Sequence, residues 1–462
     1  MIVGGGFAGF ECAHQLSRLL RRHRSGATVT LISPVDYLLY TPLLPEVAGG
    51  TIDPRFATVP LIDKLPGVRL FRAFVDSVDL SARSLQCRDQ EGTLHELSWD
   101  RLVLTPGSIT RLFEIPGLAE HARGLKSIAQ ALYLRDHIIE QLELARIDGD
   151  RERANARKTI VVVGSSYSGT ELIAQLSAMA AVAAHNFRFE PGDVRLILVE
   201  RSGRLMPELG PELAARAEKV LRARGVQILV GVTLSRVAAD HVVLSDGTRI
   251  GTYTVAWVAG VVASPLIAAT GLPTEKGRLK VGPDLQVPGF DGVYAGGDAA
   301  AVPDVTNAGR ITPPTAQHAN RQGKVLARNV AASLGYGRTR TYRHHDLGTV
   351  VDLGPGFAVA NPLNIQLSGL AAKFVTRLYH LYAIPRNANR WAVALGYVTN
   401  TLFTRPLVSI GLAQSSLGRF SASEQFISES PEMRPSDEHM YADELRYLKA
   451  SAEAAAPRPQ GD

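Results

Sequence analysis

Residues 2–16 read IVGGGFAGFECAHQL and residues 161–176 read VVVGSSYSGTELIAQL. Each is a short β-branched strand, a Gly/Ser loop and then a pattern of helical period. Each is followed by a second apolar strand, Val29–Ile32 in one case and Val194–Val199 in the other. Gly67-Val68 and Gly225-Val226 then open runs of strand-like alternation. Those runs close on an apolar strand and a glycine, Leu102–Leu104 with Gly107 and Val255–Val258 with Gly260. The three landmark pairs stand 160, 158 and 153 residues apart. A near-constant offset of this kind marks a duplicated unit. A strand–glycine loop–helix unit is the opening of a dinucleotide-binding fold, so the chain reads as α/β with two Rossmann-like domains.

The first loop fits GxGxxG through Gly4, Gly6 and Gly9. Gly4 permits the tight turn, Gly6 lets backbone approach a pyrophosphate, and Gly9 allows close packing of helix on strand. The helix start adds free N–H groups and the positive end of a dipole. Only three residues precede Gly4, fewer than the ~5 of a usual strand. Where such folds place an acid after the second strand, this chain has Ser33, which can bond a ribose only without charge assistance. In the second loop, Gly164 to Gly169, the middle glycine is replaced by Ser166, which predicts weaker or repositioned phosphate binding. Glu200 ends the following strand, placed to accept from a ribose 2′-OH and to repel a 2′-phosphate. Arg201 and Arg204 lie close by and read better as solvated charges than as phosphate ligands.

The chain has 462 residues, 45% hydrophobic and 20% charged, an ordinary globular balance. Cys12 and Cys87 are its only cysteines. That excludes a disulfide scaffold, a CxxC centre, a Cys-ligated iron–sulfur cluster and a zinc ribbon. The histidines show no repeated ligand spacing, and no metal is expected. The net charge of +6 is unevenly spread. Residues 354–423 contain no acid and six bases, Lys373, Arg377, Arg386, Arg390, Arg405 and Arg419. From Glu424 onward nine acids face four bases, in a Ser/Glu/Ala/Pro-rich tail expected to be partly disordered. No stretch supplies the roughly 20 apolar residues of a membrane span. In the acid-free segment, Leu367, Leu370, Ala371, Phe374, Leu378, Leu381 and Tyr382 follow helical spacing, with Lys373, Arg377 and His380 to one side. Trp391–Phe403 forms a second apolar stretch between Arg390 and Arg405. Two such helices read as lying on an anionic membrane surface, where each basic residue is worth about 1 kcal/mol. Packing on the body or a homodimer interface is the other use of the same faces.

Beyond these patterns the chain resembles the two-dinucleotide flavoprotein reductases, and more closely the type II, single-subunit, non-pumping NADH:quinone oxidoreductases. The strand and turn GVYAGGDAA, with Asp298, resembles their flavin-binding Gly-Asp. VDYLLYTPLLPEVAGG at 35–50, LVLTPGSITRLFEIPG at 102–117, LKSIAQALYLRDHI at 125–138 and VAWVAGVVASPL at 255–266 are similar to the family. PPTAQHANRQG at 313–323 resembles its quinone-site motif. Its logic is that a helix N-terminus and a neutral amide can polarise a quinone carbonyl without a fixed charge; a helix capped by Thr312 with prolines in its first turn is the plainer reading of the same residues.

The resemblance implies that Gly4, Gly6, Phe7, Ala8, Gly9, Ser33, Val75, Thr105, Gly107 and Asp298 contact FAD. It implies that Gly164, Gly169, Glu200 and Gly260 contact NADH, and that Pro42, Leu43, Glu46, Ala316 and Gln317 lie along the quinone site. Glu171 and Gln317 are the candidate catalytic residues. For Glu171, a place near the nicotinamide and flavin and a simple acid in the first helical turn stand equally. Thr105-Pro106 departs from the family's Ala-Thr. The implied arrangement is an FAD domain at 1–115 and 266–345, an NADH domain at 116–265, a membrane-associated region at 346–423 and an acidic tail at 424–462. The implied enzyme is peripheral, on the cytoplasmic face of the cell membrane, passes electrons from NADH through FAD to a membrane quinone in a respiratory chain, and has no nucleic-acid partner. The alternatives are a soluble NADH-dependent flavin reductase of another acceptor, or a catalytically decayed nucleotide sensor. Sulfide:quinone chemistry is disfavoured, because neither cysteine has a partner in the sequence.

Overall fold

The computed structural model describes residues 1–190, 192–403, 407–411 and 419–420. The acidic tail and Arg405 lie outside the described residues. In the first half, β1 (Ile2–Val3) leads through helix α1 (Phe7–Arg22) to β2 (Val29–Ser33). Helix α2 (Leu44–Ala48) precedes β3 (Val68–Asp79), and β4 (Leu102–Leu104) follows. These strands run parallel in the order β4-β1-β2-β3. In the second half, β5 (Thr159–Val163), helix α3 (Tyr167–Phe187), β6 (Arg195–Glu200), β7 (Val226–Val230) and β8 (Thr254–Trp257) give the parallel order β8-β5-β6-β7. The two orders are the same. The apolar runs explain it: every residue of β5 and of β8 is buried, as strands covered on both faces require.

The landmark glycines match in conformation as well as in place. Gly4 and Gly164 have φ +99° and +100°, Gly67 and Gly225 +81° and +83°, Gly107 and Gly260 +79° and +89°. All are left-handed positions that favour glycine. The chain then returns to the first sheet, with β9 (Val293–Ala295) pairing alongside β4. A short antiparallel pair, Ser108–Thr110 with Val261–Ala263, ties the two halves together. Helix α4 (Ala316–Ser333) packs on α1, and a Cβ at Gly323 would lie 2.5 Å from the Ala8 carbonyl oxygen.

The last described part contains β10 (Val350–Asp352), helix α5 (Leu370–Ala383) and helix α6 (Asn387–Leu402). Helix α5 is inside out. Ala372, Lys373, Thr376 and His380 are its buried residues, whereas Leu370, Phe374, Leu378 and Tyr382 are exposed. Lys373 and His380, expected beside the apolar stripe as surface charge, instead turn inward. The reason is a buried acid, Asp352, that Lys373 neutralises. Among the described residues no helix is long and apolar enough to cross a membrane.

Candidate active site

The first loop is held from behind. Thr105 Oγ1 donates to the Val3 carbonyl at 2.8 Å and to that of Gly4 at 3.3 Å. A Cβ at Gly9 would sit 1.9 Å from the Gly4 carbonyl oxygen, so helix and turn touch backbone to backbone. Around Gly6 the situation reverses. Nothing lies within 4 Å of where its Cβ would be, and α1 has no side-chain cap there. Gly6 therefore lines a cradle of open backbone N–H groups at a helix start, which fits a pyrophosphate. Ser33 is buried against Gly5, whose Cβ would fall 2.7 Å from its Oγ. Phe7 packs edge-on against Tyr40, and Ala8 faces Gly297. Val75 is half-buried on β3 opposite Cys87.

Asp298 follows β9, and its Oδ2 accepts from Ser108 Oγ at 2.6 Å. Lys126 Nζ in turn donates to Ser108 at 2.9 Å. Arg278 donates to the carbonyls of Asp298 and Thr312, and Gln322 Oε1 accepts from Gly297 N at 2.7 Å. Sequence reasoning missed Ser108, Lys126, Arg278 and Gln322. Ser108, Lys126 and Gln322 stood within segments singled out in the sequence and Arg278 lay outside all of them, but none of the four was assigned a role.

In the second loop Gly169 meets Gly164 as Gly9 meets Gly4, at 1.9 Å. Ser166 caps α3 with φ −59° and ψ 177°, close to the −72° and −172° of Gly6. Ser166 is therefore accommodated without strain, and the loop differs from the first by its added bulk and by Ser165 in place of Gly5. Glu200 accepts from Ser165 N and Oγ, both at 2.8 Å, and from Ser202 N at 2.7 Å. Burial alone would raise its pKa, but these bonds outweigh it and hold the carboxyl below its ordinary value. Arg204 is committed to the carbonyls of its own turn, at Leu209 and Pro207.

Glu171 requires a correction. Helix α3 begins at Tyr167, so Glu171 lies beyond the first turn, and its Oε1 accepts from Asp352 N at 2.9 Å. It lines a small buried gap together with Pro42, Leu43, Glu46, Gln175, Asp352 and His380. Three carboxyls thus meet in one buried place. Lys373 Nζ donates to both oxygens of Asp352 and, at 2.8 Å, to the Gly354 carbonyl. Among the described residues neither Glu46 nor Glu171 has an ion-pair partner of this kind. Burial and the neighbouring Asp352 push Glu46 up to about 8, and burial raises Glu171 well above its ordinary value. Tyr397 on α6 reaches Glu46 Oε2 at 3.2 Å, and Tyr40 meets His380 Nδ1 at 3.1 Å. Burial lowers His380 to about 4, so its ring is neutral at pH 7. A sequence signal for this cluster existed: Asp352 is the last acid before the acid-free segment, and Lys373 is the first base in it.

Glu46 makes stability depend on pH. Between its ordinary 4.5 and about 8 the unfolded chain releases this proton while the folded chain keeps it. Its contribution therefore falls as pH rises through that window and levels off above it. Thermal midpoints measured against pH should decline less steeply for Glu46→Gln than for the parent.

Gln317 is the second residue of α4 and donates to the Gly348 carbonyl at 3.2 Å. Ala316 opens the helix. The cap is Thr315, whose hydroxyl accepts from His318 N, and not Thr312. Thr312 is fully buried and accepts from Gln322, so Pro313 and Pro314 precede the helix rather than forming its first turn. The segment 348–352 links Gln317 to the Glu171 void. Cys12 and Cys87 are buried without a cysteine partner, and burial pushes their thiols to about 12 and 11.

Residues 1–323 match the model of the pyridine nucleotide-disulphide oxidoreductases. The chain belongs to that family. Its relatives include the demethylphylloquinone reductase NdbB of Synechocystis sp., 30% identical over 87% of this chain and 96% of that protein. The type II NADH:quinone oxidoreductase Ndh of Mycobacterium tuberculosis is 29% identical over 88% of each. The NDH2 structure from Plasmodium falciparum, solved in complex with NADH, superposes with a TM-score of 0.81 over 88% of this chain and 99% of its own, at 17% identity. The last shows the shared fold.

Proposed function

We propose that this chain is an FAD-dependent oxidoreductase that passes two electrons from NADH to a membrane quinone without pumping protons. The observation that carries this is the pair of glycine loops of matched geometry, one open at Gly6 and one bearing Glu200, on a chain whose relatives are quinone reductases. Residues 1–115 with 266–345 form the FAD unit, and 116–265 the NADH unit. Bound FAD would supply the two-electron redox chemistry. Gly4, Gly6, Phe7, Ala8 and Gly9 cradle its pyrophosphate, with Ser33, Val75, Thr105, Gly107 and Asp298 around the rest. Gly164, Gly169 and Gly260 receive NADH, and ionised Glu200 accepts from its ribose and disfavours a 2′-phosphate. Glu171 closes the void beside Pro42, Leu43 and Glu46. Ala316 and Gln317, at the start of α4, orient and polarise the quinone carbonyl. Gln317→Leu should slow quinone turnover roughly 10- to 100-fold while NADH still bleaches the flavin at the parent rate. Equal loss in both half-reactions, followed by stopped flow, would remove the role.

Helices α5 and α6 dock the enzyme on the membrane from the cytoplasmic face. Leu370, Phe374 and Tyr382 on one helix and Trp391, Leu395 and Leu402 on the other are each more than 60% exposed. Half-burying such a set would contribute on the order of 5 kcal/mol. Charge contributes less than the six basic residues suggested. Lys373 is buried, Arg386 pairs with Asp63, and Arg390 donates to the Ile384 and Tyr382 carbonyls. The double variant Phe374→Asp, Trp391→Asp should leave the membrane pellet for the supernatant and keep activity with a water-soluble quinone. A variant that still sediments with membranes would contradict docking through these faces.

A further inference from the structure

NADH brings two electrons and one proton, whereas a quinone needs two electrons and two protons to become a quinol. The second proton must therefore come from water or from an acid of the protein. We infer that Glu46 is the group that stores and delivers it, an inference that rests on the quinone reading above.

Among the described residues, the ionisable groups facing Glu46 come from every element packed against it. Glu171 approaches from α3, Asp352 from β10, Lys373, Arg377 and His380 from α5, and Tyr397 from α6; Tyr40 precedes α2. Lys373 is saturated by Asp352 and the Gly354 carbonyl. With that pair neutral overall, a further carboxylate in the void would be a buried negative charge, which is costly. Glu46 and Glu171 therefore rest as carboxylic acids. They differ in what would happen on giving up the proton. An ionised Glu46 would be met by the Tyr397 hydroxyl at 3.2 Å and by the charges of Lys373 and Arg377, the latter 4.6 Å over the Tyr397 ring. Glu171 has one backbone N–H. A proton donor works best when its pKa lies near the operating pH. Glu46, raised to about 8, meets that condition, and its ionised form is the better supported of the two by neighbouring donors and cations.

The step balances simply. NADH is oxidised to NAD⁺ and the quinone is reduced. The O–H bond of Glu46 breaks as the second O–H of the quinol forms, and water later returns a proton to the carboxylate. The groups that hold Glu46 in readiness, Lys373 and Tyr397, sit on the inner faces of the helices whose outer faces are apolar.

The test uses the FAD-loaded full chain, reduced anaerobically with one equivalent of NADH and mixed with menadione in a stopped-flow instrument. Glu46→Gln keeps shape, neutrality and an acceptor for Tyr397 but has no proton to give. Its flavin reoxidation should be about 100-fold slower, with bleaching by NADH within about twofold of the parent. The parent rate should fall as pH rises through about 8, and the variant rate should not. Reoxidation of Glu46→Gln within about threefold of the parent, with the same pH profile, would overturn the inference. Should Glu46→Gln not retain flavin, the parent decides: a rate flat from about pH 6 to 10 overturns the inference as well. If the reduced parent is not reoxidised by menadione at all, it is the quinone reading that fails.

Discussion

Lys373→Met should lower the stability of the chain by about 3–5 kcal/mol, the cost of stranding a buried charge. Lys373 and Asp352 are each only 7% exposed at the side chain, and the lysine donates to both carboxylate oxygens. Removing the cation leaves Asp352 in a void already shared with Glu46 and Glu171. The paired change Lys373→Met, Asp352→Asn removes both charges and should regain most of the loss, since a buried ion pair is often worth little against a neutral replacement. Thermal midpoints of the parent, both single variants and the double variant form a cycle that measures the coupling. A Lys373→Met protein as stable as its parent would mean that the pair is not closed as described.

Gly6→Ala and Gly9→Ala should both lose FAD, but for different reasons. A Cβ at Gly9 has the Gly4 carbonyl oxygen at 1.9 Å and Thr105 Oγ1 at 2.7 Å, so the turn itself must open. That variant should lose flavin and melt earlier even without it. A Cβ at Gly6 meets nothing, and the backbone there is extended, with φ −72°. Flavin-free Gly6→Ala should therefore melt with the flavin-free parent. Its FAD affinity should nevertheless fall roughly 10- to 100-fold, because the methyl group fills the phosphate cradle. Unchanged flavin content in Gly6→Ala would mean that the pyrophosphate does not lie at this loop.

The duplication was readable because a backbone turn with positive φ favours glycine and so leaves a mark in sequence. Each landmark, Gly4 with Gly164, Gly67 with Gly225 and Gly107 with Gly260, marks a left-handed turn that the other half repeats. Continuous apolar runs such as Thr159–Val163 likewise announce buried parallel strands. Helix α5 was readable as amphipathic, but periodicity gives a stripe and not its direction. Its apolar side faces outward because Lys373 and His380 find partners within, Asp352 and Tyr40, that lie outside the helix, while Thr376 satisfies its own hydroxyl on the Ala372 carbonyl. For the same reason Glu171 was legible as a residue and not as a contact. Its partner, the Asp352 N–H, lies 181 residues away. The supports of Asp298 escaped notice because Ser108 and Lys126 are ordinary residue types whose role comes only from their placement.

The central claim is that electrons pass from NADH to a quinone through flavin on this chain. Anaerobic titration of the purified protein with NADH, followed by quinone, tests it most directly. One equivalent of NADH should bleach the visible flavin band, and one equivalent of quinone should restore it. A protein that carries no flavin, or whose bleached flavin is not reoxidised by quinone, would contradict the account.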